Sequence, residues 1–116
     1  MAKVVIAGTV DLAPEKRDAA IRDVKALIDE ALAEPGCIAY EWTFDPFDPG
    51  RIHVFEEWES EQALSRHLRA PSYRNMLAHL GGVGILAALT RKYRIDLDEP
   101  VYDEKGRPRG DFFTSR

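Results

Sequence analysis

Two short stretches with alternating side chains lie in the middle of the chain and constrain its fold more than any other feature. CIAYEWTF (37–44) and RIHVFEEW (51–58) are separated by DPFDPG, a cluster of prolines, aspartates and a glycine. Strands turn successive side chains to opposite faces, and clusters of this kind form turns. The segment therefore predicts an antiparallel hairpin in which Tyr40, Trp42 and Phe44 share one face.

The segments around the hairpin complete a mixed order of strands and helices. In chain order, the predicted elements are a strand at 3–10, a helix from Pro14 to the Pro35-Gly36 break, the hairpin, a helix capped by Ser60 and ended by Pro71, a second helix capped by Ser72, and a strand at 92–97. GGVG (81–84) loosens or ends the second of the paired helices. This order predicts an α+β, ferredoxin-like split βαβ domain with a four-stranded antiparallel sheet over residues 1–98, followed by a polar tail at 99–116.

Length and charge narrow the possible functions. A chain of 116 residues fits one domain, and its net charge of −4 gives no reason to expect nucleic acid as a partner. No apolar run is long enough to span a bilayer, and the first ten residues favour a strand over a signal peptide. Cys37 is the single cysteine, so no disulfide can form within the chain. We therefore expect a cytoplasmic protein with no nucleic-acid or membrane partner.

The common catalytic and metal-binding motifs are missing from the sequence. His53, His67 and His79 are far apart, and none has the i, i+4 spacing of a helical zinc pair. GGVG follows a helix where a phosphate-binding glycine loop would follow a strand. Cys37 is expected to be a small buried filler. His53 and His79 are expected to be structural or exposed. We predict no metal site.

An aromatic cluster around one histidine is the remaining candidate site. Tyr40 and Trp42 share a strand face, Trp58 ends the next strand, and Tyr73 opens the last helix, while His67 lies between them in sequence. Ordinary packing of a helix on a sheet explains such a cluster equally well. Alternatively, the aromatic groups form a flat apolar slot for a planar ligand, with the imidazole placed to move a proton near neutral pH.

One acidic residue on the same strand requires a partner. Glu56 shares its strand face with Val54 and Trp58. A buried carboxylate needs a cation or a hydrogen-bond donor, and Arg94 on the last strand is the predicted partner. Glu57 is the next residue and points to the opposite face, so the two carboxylates cannot act as a pair on one bond.

The segment EEWESEQALSRHLRAPSY, preceded by GCIAYEW, resembles the antibiotic biosynthesis monooxygenase family. The shared features are an acidic residue and Trp58 at the end of a strand, an Ala63-Leu64 step, His67-Leu68, Pro71, and the Gly36, Cys37 and Tyr40 positions that begin the second strand. The resemblance extends over residues 3 to 97. Two positions depart from it: Ser72-Tyr73 replaces a frequent His-Phe pair, and Thr9 replaces the asparagine of some haem-degrading relatives.

The resemblance implies a small dimeric α+β barrel and an oxygenase of the quinol or anthrone type. It implies a reaction without metal or flavin, in which the deprotonated aromatic substrate passes an electron to molecular oxygen. His67 would transfer the proton. Tyr40, Trp42, Trp58 and Tyr73 would form the walls or donate hydrogen bonds, and Asn75 would be a further donor. Two alternatives stay open: a non-catalytic small-molecule-binding or stress-related dimer, and a proton-transfer enzyme that does not use oxygen.

The strand patterns independently favour a homodimer. One layer of helices covers one face of a four-stranded sheet, yet the first strand has Val4 and Ile6 on one face and Val5 and Ala7 on the other. Two sheets that meet face to face about a twofold axis would bury the second apolar face. Phe112 and Phe113 in the tail are expected to reach the partner subunit.

Overall fold

In the part of the chain that the structure describes, four antiparallel strands form one sheet, and four helices cover one of its faces. The protein is described by a computed structural model over residues 2–112. The elements are β1 Lys3–Leu12, α1 Pro14–Arg22, α2 Lys25–Leu32, β2 Cys37–Phe44, β3 Arg51–Trp58, α3 Glu61–Leu68, α4 Pro71–Val83 and β4 Ile85–Ile95. The strand order is β2-β3-β1-β4. The predicted α+β, ferredoxin-like architecture with a four-stranded antiparallel sheet is confirmed.

The strand register places the residues that matter for the site in one row across the sheet. Tyr40 of β2 pairs with Glu56 of β3, Glu56 with Ile6 of β1, and Ile6 with Lys92 of β4. Residues directly opposite each other in a sheet point to the same face. This row points to the helices, because Tyr40 and Glu56 are buried, at 4% and 7% exposed.

The opposite face of the sheet has no layer over it among the described residues. Phe55, Leu89 and Tyr93 are 37%, 74% and 46% exposed there, and Val5 and Ala7 beside them are half-buried. The core therefore lies wholly between the sheet and the helices. It contains two clusters, one around Ile52, Met76 and Leu80 and the other around Trp58, Ala63 and Leu64.

The predicted first helix is two helices. α1 ends at Arg22 and α2 begins at Lys25, with a turn at Asp23 and Val24. Val24 leaves the helical conformation (φ −109°, ψ 18°) and is 3% exposed, so the turn places this side chain in the core. Aspartate and valine both have low helix propensity, so interrupting the helix at this point costs little free energy.

The predicted N-terminal cap is correct for α3 and wrong for α4. Ser60 caps α3 as expected, because its hydroxyl accepts a hydrogen bond from the Ala63 amide at 3.1 Å. The prediction that Ser72 caps α4 is wrong. Pro71 occupies the first turn, Ala70 is the cap residue, and Ser72 lies inside the helix with its hydroxyl bonded to the Glu34 carboxylate. Proline is favoured at the first helical position because it has no N–H to leave unpaired.

The last strand is longer than predicted. It spans Ile85–Ile95, whereas the alternation in the sequence indicated 92–97. The added residues, ILAALT, do not alternate, and their strand conformation comes from pairing with β1 from Gly8 to Leu12. Beyond β4, Val101 and Arg109 are joined by a backbone hydrogen bond of 2.8 Å in a short hairpin. Phe113 lies outside the described residues.

Candidate active site

His67 is enclosed by aromatic rings. It lies on the inner side of α3 and is 1% exposed. Its imidazole stacks on the indole of Trp58, with ring centroids 4.6 Å apart and 29° between the planes. The phenol rings of Tyr40 and Tyr73 meet it edge-on, at centroid distances of 5.3 and 5.6 Å. Rings from β2, β3 and α4 therefore converge on this histidine.

One side of the imidazole is fixed by an acidic residue. Nδ1 of His67 lies 2.7 Å from Oε1 of Glu34, whose other carboxylate oxygen accepts a short hydrogen bond from the Ser72 hydroxyl. Because an ionised carboxylate has no proton to donate, Nδ1 carries the proton in this bond. The Glu34 side chain is 17% exposed, so it connects the buried imidazole with the surface.

A glycine turn holds Glu34 in place. Gly36 adopts φ 83°, in the left-handed region that favours glycine. A Cβ on Gly36 would lie 2.6 Å from the Cβ of Ala63 in α3. The carbonyl of Gly36 accepts a 2.8 Å hydrogen bond from the amide of Glu59, which connects this turn to the end of β3. The turn at Pro35 and Gly36 therefore positions the Glu34 carboxylate next to His67.

The other side of the imidazole faces a second buried carboxyl group. Oε1 of Glu56 accepts a 3.0 Å hydrogen bond from the indole N–H of Trp58 and lies 3.9 Å from Nε2 of His67. Nε2 is buried and has no hydrogen-bond partner among the described residues. The prediction that Arg94 pairs with Glu56 is wrong, because Glu56 contacts Trp58 and His67 instead. Arg94 lies opposite Val4, two pairs along the sheet from the row of Glu56.

Burial shifts the acidity of two groups in this cluster. Removal from water raises the pKa of Glu56, and the Trp58 N–H and His67 act in the opposite direction. Burial, together with the nearby Glu56 carboxylate, raises the pKa of Tyr40 well above its ordinary value, so its phenol stays protonated at neutral pH. Raised pKa values of buried groups next to a cavity are typical of sites that transfer protons.

A cavity of about 480 Å³ adjoins the cluster, within the roughly 300 to 1,000 Å³ that is usual for small-molecule sites. Its floor is the helix-facing side of the sheet and its roof is α4. The lining includes Ile6, Tyr40, Trp42, Val54 and Glu56 from β1 to β3, Tyr73, Met76 and Leu80 from α4, and Thr90, Arg91 and Lys92 from β4. The cavity is therefore mostly apolar, with Glu56 on its floor and cationic side chains along β4.

The predicted site residues take three different positions. Tyr40, Trp42 and Tyr73 line the cavity directly. Trp58, which is 0% exposed, and His67 belong to the adjoining cluster and are not in the cavity lining. Asn75 is exposed on α4 and is not in the lining either.

Trp42 offers an unused hydrogen-bond donor. Its indole Nε1 is buried and has no hydrogen-bond partner of normal geometry among the described residues, although the indole interacts with the neighbouring Tyr40 phenol and acts to lower the pKa of that group. Because Trp42 lines the cavity, this N–H is available to an oxygen of a bound molecule.

Two carboxylates of the cluster were not recognised as site residues from the sequence. Alternation placed Glu56 on the same strand face as Val54 and Trp58, and because Trp58 was a predicted site residue, that signal could have assigned Glu56 to the site. Glu34 had no comparable signal, because it precedes a Pro-Gly break and reaches His67 across 33 positions. Ser72 was predicted to cap a helix, whereas its hydroxyl is bonded to the Glu34 carboxylate.

The other nucleophilic or basic candidates lie elsewhere. His53 is exposed and lies 2.7 Å from Asp45, while Nε2 of His79 is bonded to the Ala20 carbonyl at 3.0 Å. Burial raises the pKa of the Cys37 thiol to about 11, so it stays protonated at neutral pH and is a weak nucleophile. Residues 2–112 contain no group of three or more potential metal ligands, and none of their helices is long and apolar enough to cross a membrane.

Comparisons with known sequences identify the family. Residues 3–79 match the family described as antibiotic biosynthesis monooxygenase. The chain is 34% identical over 88 residues to the Mycobacterium tuberculosis protein named "Putative monooxygenase Rv0793", a match that covers 76% of this chain and 81% of that protein. An uncharacterized Synechocystis protein is 28% identical over 74 residues, which are 64% of this chain and half the length of that protein.

Solved structures agree with this assignment. A conserved protein from Methanosarcina mazei has a TM-score of 0.74 at 26% identity and covers 83% of this chain and 95% of its own. The M. tuberculosis protein has a TM-score of 0.70 at 28% identity, covering 84% of this chain and 97% of its own. A Deinococcus radiodurans protein of the same family description has a TM-score of 0.77 at 19% identity, over 86% and 99% of the two chains, which shows the shared fold. The chain therefore belongs to the antibiotic biosynthesis monooxygenase family.

Proposed function

We propose that this protein is a monooxygenase that oxidises a quinol, an anthrone-like molecule or another electron-rich aromatic, without a metal or a flavin. The observation that carries the proposal is an apolar cavity with aromatic walls beside a buried imidazole and carboxyl cluster. Family membership supports the reaction class, and the cavity supports a planar substrate.

The substrate supplies the reducing power in this scheme. Loss of a proton from the substrate gives an electron-rich anion that can reduce molecular oxygen. For an anthrone, the ring methylene becomes a carbonyl: one oxygen atom enters the product, and the other leaves as water with the two methylene hydrogens. Carbon loses four electrons and oxygen gains four, so no further reductant is required.

The residues divide into a proton-transfer group and walls. His67 takes part in proton transfer from its position behind the cavity lining. Tyr40, Trp42 and Tyr73 hold the aromatic plane of the substrate, and the Trp42 N–H binds a substrate oxygen. Trp58 orients His67 by stacking. Asn75, which is exposed, would act as a donor only to a substrate group that extends beyond the cavity.

Oxygen consumption tests the proposal. Wild-type protein in chelator-treated buffer is expected to consume oxygen with a naphthohydroquinone or an anthrone. His67→Ala is expected to slow turnover by about 10²- to 10⁴-fold, the usual contribution of a positioned acid or base. The matched control is His53→Ala, which removes an exposed histidine outside the cavity lining and should leave the rate unchanged.

Two results would contradict the oxygenase. Tight binding of these aromatics with no oxygen uptake and no chemical change would indicate a binding protein. Conversion of a ligand to an isomer without oxygen uptake would indicate a proton-transfer enzyme. A cytoplasmic location stays a prediction.

We also propose a homodimer formed through the open face of the sheet. Phe55, Leu89 and Tyr93 would be buried against the same face of a second copy, and the exposed Val101 and Tyr102 of the tail would extend this contact. Sedimentation is expected to give the mass of two chains, and Phe55→Glu is expected to shift it towards one. Phe47→Glu makes the same change at a turn residue that is 93% exposed and should leave the dimer intact. A wild-type mass of one chain at micromolar concentration would contradict the dimer.

A further inference from the structure

Three side chains form a line from the cavity floor to the surface. Glu56 lines the cavity, and its Oε1 lies 3.9 Å from Nε2 of His67. Nδ1 of His67 lies 2.7 Å from Glu34, whose side chain is 17% exposed. The two carboxyl groups therefore flank the imidazole, one on the cavity side and one on the solvent side.

We propose that Glu56 is the catalytic residue that exchanges a proton with the bound aromatic, and that His67 and Glu34 carry this proton between Glu56 and solvent. The inference rests on the proposed function and adds to it the group that meets the substrate. It assigns the substrate an acidic hydroxyl or activated C–H directed at Glu56.

The cavity lining favours Glu56 over His67 as the group in contact with substrate. Glu56 is on the cavity floor in the same row as Tyr40, whereas His67 does not line the cavity. The rings of Tyr40, Trp58 and Tyr73 surround the imidazole. A ligand in this cavity would meet the carboxyl group before it met the imidazole.

The hydrogen bonds set the direction in which the imidazole can act. Because Nδ1–H of His67 is donated to Glu34, the neutral ring has its lone pair on Nε2. That atom has no other partner among the described residues and faces Glu56. The 3.9 Å separation must shorten by about 1 Å to reach hydrogen-bond length, and catalytic contacts commonly tighten when substrate binds.

The proton path is balanced at each step. The O–H or C–H bond of the substrate breaks, its electron pair stays on the substrate, and an O–H bond forms on Glu56. That proton moves to Nε2 of His67 while the Nδ1 proton moves to Glu34, which releases it to water. No oxidant is consumed in this path, and the reverse path returns a proton to the product.

Several titratable groups face Glu56 and shape its acidity. They are Tyr40 of β2, Lys92 in the same row on β4, His67 of α3, Tyr73 of α4, and the Glu34 carboxylate after α2. Burial raises the pKa of Glu56 above that of a solvated glutamate, which strengthens it as a base while it is ionised.

Turnover of a quinol that the wild type oxidises tests the role of Glu56. Glu56→Gln keeps the size and the oxygen that accepts the Trp58 N–H, and is expected to lower kcat by about 10²- to 10⁴-fold with little change in KM. Glu30→Gln removes an exposed carboxylate from α2 and should leave kcat unchanged. Formate is expected to restore rate to Glu56→Ala, which has room for it, and not to Glu56→Gln. A wild-type kcat in Glu56→Gln would overturn the proposal.

A measurement without substrate separates this inference from the oxygenase. In ¹⁵N-labelled protein, the Nε2 signal of His67 is expected to show a pH-dependent step caused by Glu56, which vanishes in Glu56→Gln and persists in Glu30→Gln. An identical His67 titration in wild type and Glu56→Gln would overturn the relay even if oxygen is consumed. Absence of oxygen uptake, with the step present, would overturn the oxygenase and leave the coupling of the two groups standing.

Discussion

Replacing Trp58 with alanine is expected to lower the free energy of unfolding by about 3 to 5 kcal/mol, the usual cost of deleting a buried indole or phenyl ring. Trp58 is 0% exposed, stacks on His67 and donates to Glu56. Its removal leaves a cavity under α3 and leaves the Glu56 carboxyl without this donor. Urea denaturation followed by circular dichroism measures the change.

Trp58→Phe separates packing from hydrogen bonding. Phenylalanine retains a ring beside His67 and lacks the N–H, so it should cost about 1 to 3 kcal/mol, the penalty for a buried acceptor left without its donor. A loss below about 1 kcal/mol in Trp58→Ala would show that this residue does not hold the cluster together.

Gly8→Ala is expected to have a comparable effect on stability, of about 3 kcal/mol or more, and to weaken ligand binding as well. A Cβ on Gly8 would lie 2.0 Å from the carbonyl oxygen of Leu89 and 2.6 Å from Cα of Thr90. Both atoms are backbone, so β1 and β4 must separate, and overpacking against backbone costs at least the usual 1 to 3 kcal/mol range. Because β4 forms one side of the cavity, we also expect a lower affinity for planar aromatics.

Gly81→Ala is the matched control for this substitution. Gly81 lies in α4, where an added Cβ has no neighbour within 4 Å. Alanine favours the helix by roughly 0.5 to 1 kcal/mol over glycine, so this variant should be slightly more stable than the wild type. Thermal denaturation of the two variants gives their melting temperatures. A melting temperature of Gly8→Ala that is no lower than that of Gly81→Ala would contradict the close approach of β1 and β4.

The order of elements was predictable because it is encoded locally. The hairpin follows from alternation on either side of DPFDPG, and the start of α3 follows from Ser60. Alternation also placed Tyr40 and Trp42 on one shared strand face. These signals require no knowledge of distant residues, since each depends on neighbours within a few positions.

The parts that were mispredicted depend on distant contacts. Residues 85–90 form a strand through pairing with β1, which is more than 70 positions away. Ser72 has the chemistry of a helix cap, but Pro71 takes the first turn and Glu34 binds the hydroxyl. The partner of Glu56 was sought on β4, whereas it is the indole two residues further along β3. Side-chain partners are selected by the assembled fold, and local periodicity carries little information about them.

The position of β4 at the outside of the sheet bears on how the protein avoids aggregation. An outer strand presents backbone donors and acceptors that can recruit a strand from another molecule, and natural proteins oppose this with charge. Arg91, Lys92 and Arg94 are consecutive or nearly so on this strand and are exposed. Two β4 strands that approached each other edge to edge would bring these cations together. Electrostatic repulsion therefore protects the molecule against fibril-like extension. The same strand also encloses the cavity.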